Sequence, residues 1–196
     1  MVQEEEFELF LTALRFSADK HRNQRRKDAA KSPYINHPIE VAEMLWSVGG
    51  IRELPILIAA TLHDTVEDTD TLPEEIQRYF GVEVLCLVLE VTDDKSLSKL
   101  ERKRLQIETA PHKTRLAKCM KLADFACNLR DMNQSPPADW PVERIREYML
   151  WSEKVVAGLR GTNLALENCY DFELARGKKQ HIINYKSTEL FKSDKG

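Results

Sequence analysis

The most constraining stretch of the chain is Ile56-Leu57-Ile58-Ala59-Ala60-Thr61-Leu62-His63-Asp64-Thr65-Val66-Glu67-Asp68-Thr69. Apolar side chains occupy every face of its opening turns, the pattern of a helix surrounded by protein rather than one lying on a surface. His63, Asp64, Glu67 and Asp68 then fall within six positions. A fold that accepts this segment must build a core around the helix and deliver charge to an interior cleft at its end. Three acids gathered there repel one another unless a cation or a proton holds them. A divalent metal ion is the simplest occupant. A solvated acidic loop is the plain alternative, and the adjacency of His63 and Asp64 behind a buried run weighs against it.

The rest of the chain reads as helices around that one. Glu4 to His21 carries Phe7, Phe10, Leu11, Leu14 and Ala18 at helical spacing. A basic segment follows, with Arg22, Arg25, Arg26, Lys27 and Lys31. Pro38 suits the first turn of a helix that runs to about Val48 and stops at Gly49-Gly50. Further helices are expected over about Glu53–Asp64, Leu72–Phe80, Val82–Val91, Ser98–Thr109, Lys113–Met132, Val142–Leu159 and Thr162–Leu174. No run alternates with period two over any length, so the expected class is all-α, with room for a small β-hairpin between Arg22 and Pro33. One domain over 1–176 is expected, followed by a polar, fraying tail over 177–196.

A second constellation lies in the Lys113–Met132 helix. Asp124, Asn128 and Asp131 stand at i, i+4 and i+7 and so share a face. Alone, Asp124 would read as a satisfied structural residue, and His37, just before Pro38, as a helix cap. Taken together, His37, His63, Asp64 and Asp124 supply two imidazoles and two carboxylates from three helices. Such a mixed set with open positions suits Mn²⁺, Fe²⁺ or Zn²⁺ and favours an octahedral ion over a closed structural zinc.

Composition excludes several classes. The chain has 196 residues, 42% of them hydrophobic, and a formal net charge of -3, which gives no bulk preference for nucleic acid or membrane. No apolar run approaches the roughly 20 residues that span a bilayer. The N-terminus is acidic and has no signal-peptide character. Cys86, Cys119, Cys127 and Cys169 form no Cys-x-x-Cys pair and read as buried, reduced thiols of a cytoplasmic protein.

The motifs, taken in order, carry a resemblance. His37, then His63-Asp64, then Asp124 follow the pattern of the HD metal-dependent phosphohydrolase superfamily. Pro33-Tyr34-Ile35-Asn36-His37-Pro38, Leu62-His63-Asp64-Thr65-Val66-Glu67-Asp68-Thr69, Val91-Thr92-Asp93-Asp94-Lys95 and Asn128-Leu129-Arg130-Asp131 resemble the hydrolase domain of the Rel/SpoT alarmone enzymes. Gln24-Arg25-Arg26-Lys27-Asp28 and Leu100-Glu101-Arg102-Lys103-Arg104 resemble its small, stand-alone members, including the metazoan SpoT homologue. The resemblance covers roughly Phe7 to Asn168 and leaves no room for a synthetase domain. It implies an HD helical bundle that binds one Mn²⁺ per chain through His37, His63, Asp64 and Asp124. It also implies removal of the 3′-pyrophosphate from ppGpp or pppGpp. Glu67 and Asp68 would position and deprotonate water. Asn128, Arg26 and Lys27 would contact the nucleotide, with Lys99 and Tyr148 as further phosphate and base contacts.

One departure stands out: Phe125 follows the ligand Asp where the family usually has Lys or Arg, and Cys127 replaces its usual Tyr or His. Loss of that charge bears on substrate preference more than on the metal. Two other readings stay open. One is an NADPH 2′-phosphatase, since both substrates carry phosphate esterified on a ribose. The other is a non-catalytic nucleotide-binding module, against which the intact Glu67 and Asp68 argue.

Overall fold

The computed structural model describes the backbone of residues 2–193 and the side chains of residues 4–181. Helices follow one another as α1 (Val2–Lys20), α2 (Asn36–Ser47), α3 (Leu54–Leu62), α4 (Thr65–Asp68), α5 (Pro73–Phe80), α6 (Val82–Val91), α7 (Lys99–Thr109), α8 (Arg115–Gln134), α9 (Val142–Ala157) and α10 (Leu164–Ser193). No strand occurs among the described residues; the loop after α1 holds one isolated antiparallel bridge, Arg25 with Pro33, instead of a hairpin ladder. Lys31 takes a left-handed φ of 51° at the loop's tip.

Helix α3 is the centre of the bundle. Ile56 to Leu62 are all buried, and α1, α2, α6 and α8 pack around them. A helix apolar on every side needs partners on every side, and the fold provides them. It ends two residues earlier than expected. Thr61, Thr65 and Thr69 turn their hydroxyls back onto the carbonyls of Ile58, Leu62 and Thr65. Such back-bonding loosens a helix end, so His63 and Asp64 sit in a tight bend before the single turn of α4.

The face that α1 buries differs from the expected one. Ala13 and Ser17 are fully buried, while Phe7 is 63% and Leu11 47% exposed. The small side chains let α1 lie close against α3, and the bulkier Leu9, Phe10 and Phe16 pack along the flank. Helix α2 stops at Gly49-Gly50 as expected: the Gly49 N–H returns to the Met44 carbonyl and Gly50 takes φ +66°. Ser98 caps α7 and Thr114 caps α8 with side-chain oxygens.

At the other end, α10 continues past Gly177 without a break, where a fraying tail was expected. His181 is buried, and Lys178 pairs with Glu153 of α9 at 2.7 Å. The cysteines divide: Cys119 and Cys127 are buried, Cys169 is half-buried, and Cys86 is exposed, which corrects the expectation of four buried thiols. All four are free.

Gly158, at the end of α9, closes against the turn between α7 and α8. A Cβ there would stand 2.8 Å from the Pro111 ring and 2.9 Å from the Ala110 methyl. Neither group can swing away. Gly158→Ala is expected to cost about 1–3 kcal/mol, the usual scale of overpacking, measured as a lowered midpoint in chemical denaturation.

Candidate metal centre and nucleotide cleft

His37 from the first turn of α2, His63 from the bend after α3 and Asp124 from mid-α8 each offer one ligand atom, all within 4.8 Å of one another. Asp64 stands beside them: its Oδ2 lies 3.1 Å from His63 Nε2 and 3.9 Å from His37 Nε2. The four side chains named from sequence therefore gather at one place, on elements that converge because each packs on α3.

The donor chemistry fits a divalent ion. His63 Nδ1 donates to the Ala60 carbonyl at 2.8 Å, which leaves the Nε2 lone pair as the metal-facing atom. That buried Nε2 lies near Asp64 yet has no aligned hydrogen-bond partner, and neither does the buried Nδ1 of His37. Asp124 accepts from Asn128 at 2.6 Å and Lys121 at 3.2 Å, and Asp64 accepts from Tyr34 Oη at 2.6 Å. These partners orient the carboxylates as outer ligands do around metals.

In the metal-free chain, protons and cations share the work of holding the acids. Burial alone would push the His63 imidazole down, but Asp64 beside it outweighs this and raises it to about 9. Burial would likewise push Asp64 and Asp124 up. Instead His63 holds the Asp64 carboxyl, and Lys121 the Asp124 carboxyl, well below the usual range.

Above the metal centre opens a cleft of about 550 Å³, lined among others by Gln24, Arg26, Lys27, Tyr34, Asp68, Lys95, Asn128, Trp140 and Tyr148. The basic segment does close over it. The Arg26 N–H bonds to the Ser32 carbonyl and the Ala138 N–H to the Lys27 carbonyl, which ties the loop across to the α8–α9 connection. Arg26 pairs with Asp131 at 2.5 Å and reaches Asn128 at 3.3 Å. Lys27 faces the Trp140 ring. Tyr148 hydrogen-bonds with Asn128 and packs on Phe125 and Trp151. Lys99, by contrast, lies exposed at the start of α7 and does not line this cleft.

Glu67 and Asp68 sit on α4, and of the two Asp68 lines the cleft. The Asp93 N–H donates to Glu67 at 2.9 Å, and Gln106 holds the Asp93 carboxylate at 2.7 Å. Burial raises the Glu67 carboxyl above its ordinary value, opposed by the Asp93 N–H and Lys95. Tyr34, Lys95 and Lys121 were not among the site residues read from sequence. Tyr34 and Lys95 lay inside quoted motifs, but nothing in their spacing pointed to Asp64 or Glu67. Lys121 stands one turn before Asp124, a spacing that could have been used. It restores, from three residues upstream, a positive charge that Phe125 does not supply.

The HD domain family profile matches residues 13–149. The protein named guanosine-3′,5′-bis(diphosphate) 3′-pyrophosphohydrolase MESH1 from Xenopus tropicalis is 55% identical over 163 residues, 83% of this chain and 91% of that one. Its human counterpart is 56% identical over 157 residues, covering 80% and 88%. A solved structure described as a metazoan ortholog of SpoT that hydrolyses ppGpp superposes with a TM-score of 0.84 at 48% identity, over 86% of this chain and 94% of the other.

Two outcomes follow. Tyr34→Phe removes the hydrogen bond that orients Asp64 and should weaken Mn²⁺ binding by roughly 10- to 100-fold, measured by calorimetric titration. The second concerns pH. Because the folded-state pKa of His63 lies above its unfolded value of about 6.5, its stabilisation is full below that pH and fades as pH rises through about 9. In chelator, the unfolding midpoint should fall across that window. Saturating Mn²⁺ should flatten the fall, because the ion takes over the proton's role. The chain belongs to the HD-domain family, alongside the proteins named MESH1.

Proposed function

We propose that the protein is a metal-dependent hydrolase that converts ppGpp or pppGpp to GDP or GTP and pyrophosphate. The observation that carries this reading is a convergent His37–His63–Asp64–Asp124 cluster that opens through His37 onto a basic-rimmed cleft, which Asp68 lines with Glu67 beside it. The names and activity of the relatives support the substrate. The mixed nitrogen and oxygen donors support one Mn²⁺ per chain. When bound, such an ion supplies Lewis acidity to water and phosphate.

The chain's own residues would do the rest. Glu67, its carboxyl raised above the ordinary value by burial, is suited to take a proton from the attacking water, with Asp68 orienting that water. The water oxygen bonds to the phosphorus on the ribose 3′-oxygen, the P–O3′ bond breaks, and the 3′-oxygen regains a proton. Arg26 offers a planar face to the base, and Lys27 a point charge to phosphate. Asn128, held between Asp124, Arg26 and Tyr148, links the nucleotide contacts to the metal floor. Lys99, exposed at the start of α7 and outside the cleft lining, is given no part here. The four free thiols support a reducing, cytoplasmic setting. Among the described residues no helix is long and apolar enough to cross a membrane.

The test is turnover of ppGpp, pppGpp and NADPH by the Mn²⁺-loaded protein, with products resolved by anion exchange. Release of pyrophosphate from the guanosine substrates supports the reading. Release of inorganic phosphate from NADPH alone transfers it to the 2′-phosphatase. Glu67→Gln with Asp68→Asn should keep metal content and lower turnover by about 10²-fold or more, the scale of a lost general base.

A further inference from the structure

Lys95 has no part in the roles assigned above, yet it occupies a singular position. It lies in the connection between α6 and α7, and its ammonium stands 2.7 Å from Asp68 Oδ1 and 3.1 Å from Glu67 Oε1. Among the described residues no other cation comes within 4.0 Å of either acid. Its side chain is 48% exposed, against 20% for Glu67 and 27% for Asp68, so it forms the cleft-side edge of the trio. It lines the cleft together with Gln24, Arg26, Lys27 and Asn128.

The backbone around it is fixed. The Asp93 N–H is held by Glu67, the Asp93 carboxylate by Gln106, and the Ser96 N–H by Asp94. The four-carbon stem carries the head from this fixed backbone to the two acids. An ammonium has three N–H donors. Two are engaged by Glu67 and Asp68, and the third is available on the exposed side. Arg26, the other strong cation of this wall, is already paired with Asp131. An incoming polyphosphate therefore meets Lys95 as the first cation beside the two acids. Without it, the same phosphate would approach two bare carboxylates, a like-charge encounter that costs affinity.

We propose that Lys95 is a phosphate-contacting residue of this enzyme: it holds Glu67 and Asp68 in place and gives its remaining N–H to a non-bridging oxygen of the ribose-linked diphosphate. This rests on the hydrolase reading above and adds a residue to it. A purely structural lysine, tying two acids together, would affect turnover but not the strength of substrate binding. A phosphate contact affects both.

The experiment compares wild type, Lys95→Met and Lys95→Arg with ppGpp and Mn²⁺, reading KM, kcat, metal content and the salt dependence of kcat/KM. Lys95→Met is expected to keep one Mn²⁺ per chain, raise KM by about 10-fold or more and lower kcat/KM by about 10- to 100-fold, the scale of a lost charged hydrogen bond. Salt should depress its kcat/KM less steeply than that of the wild type. Lys95→Arg should recover most of the loss in KM. A Lys95→Met protein with KM within twofold of wild type would overturn the proposal, as would loss of its metal, since Lys95 would then support the fold of the site alone. An inactive wild type, by contrast, refutes the hydrolase reading itself and is visible before any variant is compared.

Discussion

The structure depends on a conflict of charge at the end of a buried helix. Helix α3 is apolar on all sides and must lie in the centre. The residues that follow it carry acids and an imidazole into the same interior. Asp64 and Asp124 are too deep for water to screen them well, and carboxylates in low dielectric are costly unless paired. Each is therefore answered by hydrogen-bond donors and cations drawn from separate elements: Tyr34 and His63 for Asp64, and Lys121, Asn128 and His37 for Asp124. A proton on His63 is a partial answer. A doubly charged ion is a better one, because its charge matches the two carboxylates and the imidazole and carboxylate donors replace the hydration it gives up. Helix packing and metal chemistry are in this sense one constraint.

Much of this was legible in the chain. The all-round apolar character of Ile56–Leu62 marked the central helix, and Gly49-Gly50 marked the end of α2, because both signals are local. His63 and Asp64 stood out behind a buried run, whereas His37 and Asp124, ordinary when taken singly, could be named only in combination with them and through the family resemblance. Less legible were features that depend on distant partners. Hydrophobic spacing in α1 allowed more than one inward face, and the close approach to α3 selected the small residues Ala13 and Ser17 over Phe7 and Leu11. At the helix end at Leu62 the Thr61 and Thr65 hydroxyls turn onto the Ile58 and Leu62 carbonyls, and their choice of carbonyl over solvent is not a matter of period. Gly177 and its polar neighbours looked like a tail, but Asn133 and Met149 crowd around that glycine, and a side chain there would have no room.

In the site, the acids were readable and their keepers were not. Tyr34 meets Asp64 across 30 positions, Lys95 meets Asp68 across 27, and Arg26 meets Asp131 across 105. Such pairings are a product of the fold. Lys99 is a different case: a basic residue near the motifs in sequence that stands exposed at the start of α7 and is not among the residues lining the cleft.

The Arg26–Asp131 pair has a consequence for discrimination among ligands. Arg26 does not wait in the cleft with an idle guanidinium, for a carboxylate of the protein already holds it. Any ligand that draws on Arg26 must compete with this internal rival, and only the difference between the two attachments appears as binding. Small or weakly charged anions, which offer no more than Asp131 does, gain little by entering. A nucleotide that stacks, presents several phosphate oxygens and engages Asn128 at once can displace the rival. If Arg26 binds the nucleotide as proposed, the pair acts as a threshold, exchanging some affinity for selectivity over simple phosphates.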